Sequence, residues 1–218
     1  MDWTQAVDGY CERIDPSFWA EPVNAVTNAA FLLAALLMWQ RRGVMPGVAV
    51  LCAILFAIGT GSFLFHTFAQ PWAGLADVAP IVAFILAYVY LMNRTGWGLR
   101  AWPALGLTTL FFPYAAATGT LFGRIPGLGA SAGYMPVLLL IALYAAMLRR
   151  RAPALARGLG IGAALLALSL TFRTLDLPLC GSLPLGTHFL WHLLNAVMLG
   201  WMIEVYARAA LGKGQGAG

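Results

Sequence analysis

Charged residues are scarce in this sequence: they make up only 10% of 218 positions, while 61% are hydrophobic. A soluble domain carries about a quarter charged residues. Too few charges remain to cover a water-facing surface, so the solvent must be largely lipid, and aqueous, nucleic-acid-binding and disordered classes are excluded. Acidic residues are fewer than basic ones, eight against thirteen, and there are only three histidines and three cysteines. The first twenty residues lack the basic start and apolar core of a cleavable signal peptide and carry Asp2, Asp8, Glu12 and Asp15 instead. The N-terminal tail is therefore expected to cross the membrane with the first helix. No convincing internal repeat is present, and inverted or parallel repeats would mark a transporter.

Long apolar runs are what the chain has in abundance. A membrane-crossing helix needs about 20 mainly apolar residues, and seven such runs can be counted, at about 22–40, 46–67, 74–93, 99–119, 133–149, 157–174 and 185–207. Gly, Pro and Arg punctuate them, as in QRRGVMPG, NRTGWGLR, RIPGLGASAG and RRRAPALARG. The connections are too short for a second domain. The expectation is an all-α, seven-helix integral membrane protein over 1–218, with an acidic segment 1–21, a bundle 22–207 and a tail 208–218. Arg41, Arg42, Arg94, Arg100, Arg149, Arg150, Arg151, Arg157, Arg208 and Lys213 fall on one side of it, and only Arg13, Arg124 and Arg173 on the other. Positive charge marks the cytoplasmic face. That places the N-terminus outside and the C-terminus inside, and explains the net charge without a nucleic-acid partner.

Titratable groups inside membrane helices are costly and usually face a protein interior or a water-filled cavity. His188 and His192 lie at i and i+4 in GTHFLWHLLN, on one helix face, and Ser62 and His66 repeat that spacing on the second helix. Asp77 is read at the start of the third helix and Asp176 at the end of the sixth. With the N-terminus outside, Ser62, His66, Asp77, His188 and His192 all fall near the outer end of the bundle. Three histidines with an open fourth position form a ligand set for catalytic zinc. Asp77 would then move protons for a water whose pKa the metal lowers, and Ser62 would support an oxyanion. The plainer readings are interhelical hydrogen bonds for the histidines, close packing for Ser62 and an interfacial cap for Asp77.

The stretch DGYCERIDPSFWAEPVNAVTN gathers Asp8, Glu12, Asp15 and Glu21, with Asn24 and Asn28 following. Carboxylates in an irregular segment suit Ca²⁺, but the spacing is not that of an EF-hand, and a solvated acidic tail with Glu21 at a helix start is the plainer reading of these residues. Cys11 and Cys180 fall on the outer side, where oxidising conditions permit a bridge that sequence alone does not fix; Cys52 lies inside the second helix as a small apolar residue. Trp191 and Trp201 fit an interface belt or packing, and Glu204 is placed near water at the cytoplasmic end. FGRIPGLGASAG reads as an outer loop. Arg173 and Asp176 are expected to pair with each other or to touch headgroups, without a catalytic role.

Taken together, GSFLFH, the following aspartate and HFLWH resemble the alkaline ceramidases, part of a superfamily of seven-helix membrane hydrolases that includes the progestin and adiponectin receptors. YCER…WAEPVNAVTN is similar to the start of those enzymes. The resemblance implies Zn²⁺ on His66, His188 and His192, proton handling by Asp77, support from Ser62 and a Cys11–Cys180 disulfide. It also implies an N-terminal Ca²⁺ site, to which Glu12 and Glu21 correspond, with Asp8 displaced by one residue, Ile14 where an oxygen ligand is expected, and Asp15 as its substitute. The implied reaction is hydrolysis of ceramide or a related N-acyl lipid to a long-chain base and a fatty acid. A zinc-containing lipid receptor or sensor without turnover is the alternative. Richness in Ala, Gly, Arg and Leu with short loops suggests a bacterial inner membrane, with the site near the periplasmic face.

Overall fold

A computed structural model describes residues 2–215, with side chains as far as 212; Lys213, one of the basic residues used to orient the chain, lies outside the described side chains. Seven helical spans are long and apolar enough to cross a membrane: α1 Pro22–Arg42, α2 Pro46–Phe68, α3 Pro71–Thr95, α4 Ala101–Phe122, α5 Gly129–Leu148, α6 Pro153–Leu179 and α7 His188–Gln215. No strand occurs among the described residues. The protein is an all-α integral membrane bundle. Proline occupies the first position of α1, α2, α3 and α6, where its missing N–H costs no helical bond and its fixed φ favours initiation.

Two spans are interrupted for local reasons. In α1 the helix pauses at Asn28, between Pro22–Thr27 and Ala29–Arg42, where the Asn28 amide donates to the Asn24 carbonyl (2.8 Å). In α4 it pauses at Leu110, between Ala101–Thr109 and Phe111–Phe122. Pro113 has no N–H to give the Thr109 carbonyl, so the ladder breaks there. The span α5 opens with a 3₁₀ stretch, Gly129–Tyr134, so the second half of FGRIPGLGASAG is wound rather than looped. Several other ends run past the sequence expectation, while α4 and α7 start later than expected, at Ala101 and His188. α3 begins at Pro71, so Asp77 lies well inside the helix and does not cap it, and α6 continues to Leu179, which puts Asp176 within its last turn. α7 continues through the expected tail to Gln215.

α2 packs against α1 and α3, α6 against α5 and α7, and α7 closes back onto α1. α6 and α7 are the most enclosed spans, and α4 the least. Large side chains such as Leu33, Leu36, Val50, Phe56, Trp102 and Phe112 stand exposed on the outer faces, where lipid replaces water as the covering medium. The interior is a continuous apolar core through Phe31, Leu51, Leu55, Ile58, Leu159, Met198 and Ile203.

A candidate metal centre at one end of the bundle

His66 from α2 and His188 and His192 from α7 meet at the end of the bundle that carries the N-terminal segment. One ring nitrogen from each lies within 4.8 Å of the others, and among the described residues this is the group able to hold a metal ion. All three rings are at most 2% exposed. Their outer bonds leave inward nitrogens over. His66 Nδ1 is bonded to Glu21 (2.6 Å) and His192 Nδ1 to the Thr27 hydroxyl (3.0 Å), while His188 Nδ1 and His192 Nε2 are buried with no hydrogen-bond partner. A buried unpaired ring nitrogen is unfavourable unless something accepts its lone pair. Three converging imidazoles, two of them with outer-side partners, are a donor set that suits a metal ion of zinc's type. The residues present fit the metal.

The fourth side opens on a cavity of about 120 Å³ lined by Ser62, Asp77, Tyr10, Tyr134, Arg173 and Asn195 among others. Asp77 is only partly buried and lies outside the group of converging ligands. Ser62 lies beside its carboxylate. Gly61 makes this neighbourhood possible: a Cβ there would collide with the Ala76 carbonyl and come within 2.7 Å of its carbon, so only glycine lets α2 and α3 approach so closely. The turn between these helices is just Ala69 and Gln70, and Ala69 takes a left-handed φ of 45° at the end of α2.

The N-terminal segment covers the histidines. Tyr10 lies against His188, with ring centroids 3.9 Å apart, and beside His66 at 4.8 Å. Burial pushes its phenol well above the usual range, so the hydroxyl keeps its proton. Val7 N–H donates to the Ala69 carbonyl (2.7 Å), and Cys11 is bridged to Cys180 with Cα atoms 5.4 Å apart.

Asp176 also holds this cover, a part that sequence reasoning assigned to a headgroup or an Arg173 pair. Its carboxylate accepts the backbone N–H groups of Cys11 (3.0 Å), Thr187 (2.8 Å) and His188 (2.9 Å), and so caps α7 from α6. Gly186, at φ 66°, passes too close to Asp176 and Cys11 for any side chain. Arg173 does not pair with Asp176; it lies over the Tyr134 and Trp191 rings, donates to Ser131 (3.3 Å) and lines the cavity. Trp191 is thereby core packing, and Trp201 donates to the Gly158 carbonyl (2.8 Å).

The four carboxylates expected to bind calcium are not brought together. Asp8 and Asp15 are exposed, and Asp15 accepts the Ser17 N–H (2.7 Å). Both oxygens of Glu12 accept backbone N–H groups at the start of α1, from Val23 (2.7 Å) and Asn24 (2.8 Å). Glu21 is bonded to Arg13, His66 and the Asn24 amide. Burial alone would raise the Glu21 carboxyl, but the His66, Arg13 and Asn24 bonds outweigh it and hold it below its ordinary value. Glu21 is thus the outer partner of one of the three converging histidines. Tyr10, Arg13 and Thr27 were not singled out from sequence for the site; an aromatic and a basic residue flanking the Cys–Glu pair were the available signal.

A family model described as Ceramidase matches residues 7–213. No curated protein matches the chain at a significant level.

Proposed function

Since the chain belongs to the ceramidase family, we propose that it is a zinc-dependent intramembrane amidase that hydrolyses ceramide or a related N-acyl lipid to a long-chain base and a fatty acid. The observation that carries the reading is the convergence of three buried histidines, two of which, His188 and His192, line a cavity together with Asp77 and Ser62. Because Asp77 stands apart from the converging ligands, the donor set is that of an open site. This favours catalysis over the closed four-ligand site that a receptor would use structurally.

His66, His188 and His192 hold the metal, and Glu21 and Thr27 orient His66 and His192 through their outer nitrogens. Zinc held there would supply Lewis acidity toward the amide carbonyl and a lowered pKa for water. Asp77 accepts the proton of the attacking water and returns it to the leaving amine. Ser62 donates a hydrogen bond to the oxygen on which charge develops. Tyr10 roofs the histidines against bulk water, and Arg173 places positive charge at the rim.

An apolar track suits the lipid chains. The site cavity shares Ile58, Ile81, Tyr134, Trp191 and Asn195 with a deeper cavity, which in turn shares Phe84, Ile85, Val137, Met198 and Leu199 with a third that reaches Met202. An amide would lie at the polar end while an acyl chain runs along α3, α5 and α7. Charge asymmetry and the disulfide independently support an outer, periplasmic position for the histidine end. The test is turnover of a fluorescent N-acyl-sphingosine by the purified full chain, with bound zinc quantified in the same sample. Zinc near one per chain, fatty-acid release and its loss to background in His192→Ala are expected. Metal binding without amide hydrolysis across a panel of N-acyl lipids would overturn the proposal.

A further inference from the structure

Arg13 is one of the three basic residues that the sequence places on the histidine side of the bundle, with Arg124 and Arg173, and it is buried, at 6% exposure. Oxygens enclose its guanidinium. Nε donates to Glu21 Oε1 (2.5 Å), Nη1 to the carbonyls of Asp15 (3.1 Å) and Ser17 (3.4 Å), and Nη2 to the carbonyl of His66 (3.1 Å). One carboxylate and three carbonyls, drawn from the N-terminal segment and the end of α2, are the donor types that Ca²⁺ takes. Here they are already occupied by a cation that the chain carries itself. The other positions of the motif offer little beside it: both Glu12 oxygens already accept backbone N–H groups, Asp8 and Asp15 stand exposed, and Ile14, 87% exposed, has no side-chain oxygen.

The same carboxylate reaches the metal centre. Glu21 Oε2 accepts from His66 Nδ1, and its other oxygen accepts from Arg13. A buried carboxylate needs such a partner to stay charged, and a charged carboxylate fixes the tautomer and orientation of the histidine it bonds. Arg13 also grips the His66 carbonyl, so it fixes that residue through both backbone and ring.

We infer that Arg13 is a resident cation that takes the place of the calcium ion implied by the N-terminal motif, and that through Glu21 it positions His66 for the metal. The second half rests on the metal-site reading above; the first half does not. Arg13 is a positioning residue and touches no substrate.

The full chain in detergent micelles, loaded with zinc, is titrated with CaCl₂ by calorimetry and followed by thermal unfolding. The wild type is expected to give no binding heat and no change in melting temperature. Stoichiometric Ca²⁺ binding, or a calcium-dependent rise in melting temperature, overturns the first half without any variant. In Arg13→Gln the vacated oxygens are expected to acquire Ca²⁺ binding, and zinc affinity to fall by about 10–100-fold, the usual cost of losing an outer-shell partner. Ca²⁺ should restore part of that affinity in the variant and none in the wild type, and Arg13→Lys, which keeps the charge but loses the fork, should fall between. The visible absorption of the Co²⁺-loaded protein should shift in the same order. A folded Arg13→Gln with unchanged zinc affinity and cobalt spectrum overturns the second half. None of these readouts requires lipid hydrolysis, so a failure here is distinguishable from a failure of the proposed activity.

Discussion

At the histidine end of the bundle, Glu12, Arg13, Glu21 and Asp176 are each below a tenth exposed, and each holds two or more named partners. At the opposite end, Arg41, Arg100, Arg149, Arg150 and Arg157 stand exposed. The ion pairs there, Arg42–Glu204 (3.2 Å) and Arg208–Glu204 (2.7 Å), keep their arginines 35% and 65% open to solvent. Both ends carry charge, but in different physical regimes. An exposed pair is worth about 0–1 kcal/mol because water competes for both partners, whereas removing one partner of a buried pair leaves an uncompensated charge and costs about 3–5 kcal/mol. The arginine-rich end therefore keeps its charges in water, and the histidine end fixes its geometry by how its charges are bonded.

Three substitutions sharpen that contrast. The largest effect is expected for Asp176→Ala, which strips the acceptor from three N–H groups and uncaps α7 at His188. Each buried unsatisfied donor costs about 1–3 kcal/mol, so thermal unfolding in detergent should show a loss of about 3 kcal/mol or more, together with lowered zinc occupancy; Asp176→Asn should recover part of both. Opening the Cys11–Cys180 bridge, by Cys180→Ser or by reductant, comes second. It frees a loop spanning 169 positions, and the expected loss is about 2–5 kcal/mol, read as a lower melting temperature and faster proteolysis of the N-terminal segment. The smallest effect belongs to the far end: Glu204→Gln should change stability by less than about 1 kcal/mol and leave zinc binding and turnover intact. If Glu204→Gln proved as damaging as Asp176→Ala, the division between the two ends would not hold.

Sequence reading reached the elements whose signals are local. The seven spans followed from apolar length, and the three histidines and Asp77 from the cost of placing such groups in lipid. What it did not reach depends on which residue meets which across the fold. Arg13 counted as a minority charge in the orientation argument, and nothing along the chain says that its guanidinium is wrapped by Glu21 and the His66 carbonyl. The acidic segment and the resemblance suggest calcium for Glu21, and nothing along the chain shows that His66, 45 positions away, is its partner. Asp176 and Arg173 are close in sequence yet turn to different surroundings, one to backbone N–H groups and the other to aromatic faces. The break in α4 was legible in principle, since Pro113 removes a donor, but a hydropathy run does not register it.

The bridge and the histidine cluster have one consequence in common. Cys11 is tied to Cys180, and His66 meets His188 and His192, so the first third of the polypeptide is clasped to the last third at two points. In its contacts the chain is a closed belt with its buckle at the site, and α4, the least enclosed span, is threaded along its outside. Such a belt can be cut away from its buckle. A chain divided between α4 and α5, at 123–128, would yield two fragments that each bring part of the histidine cluster and are held together by the disulfide.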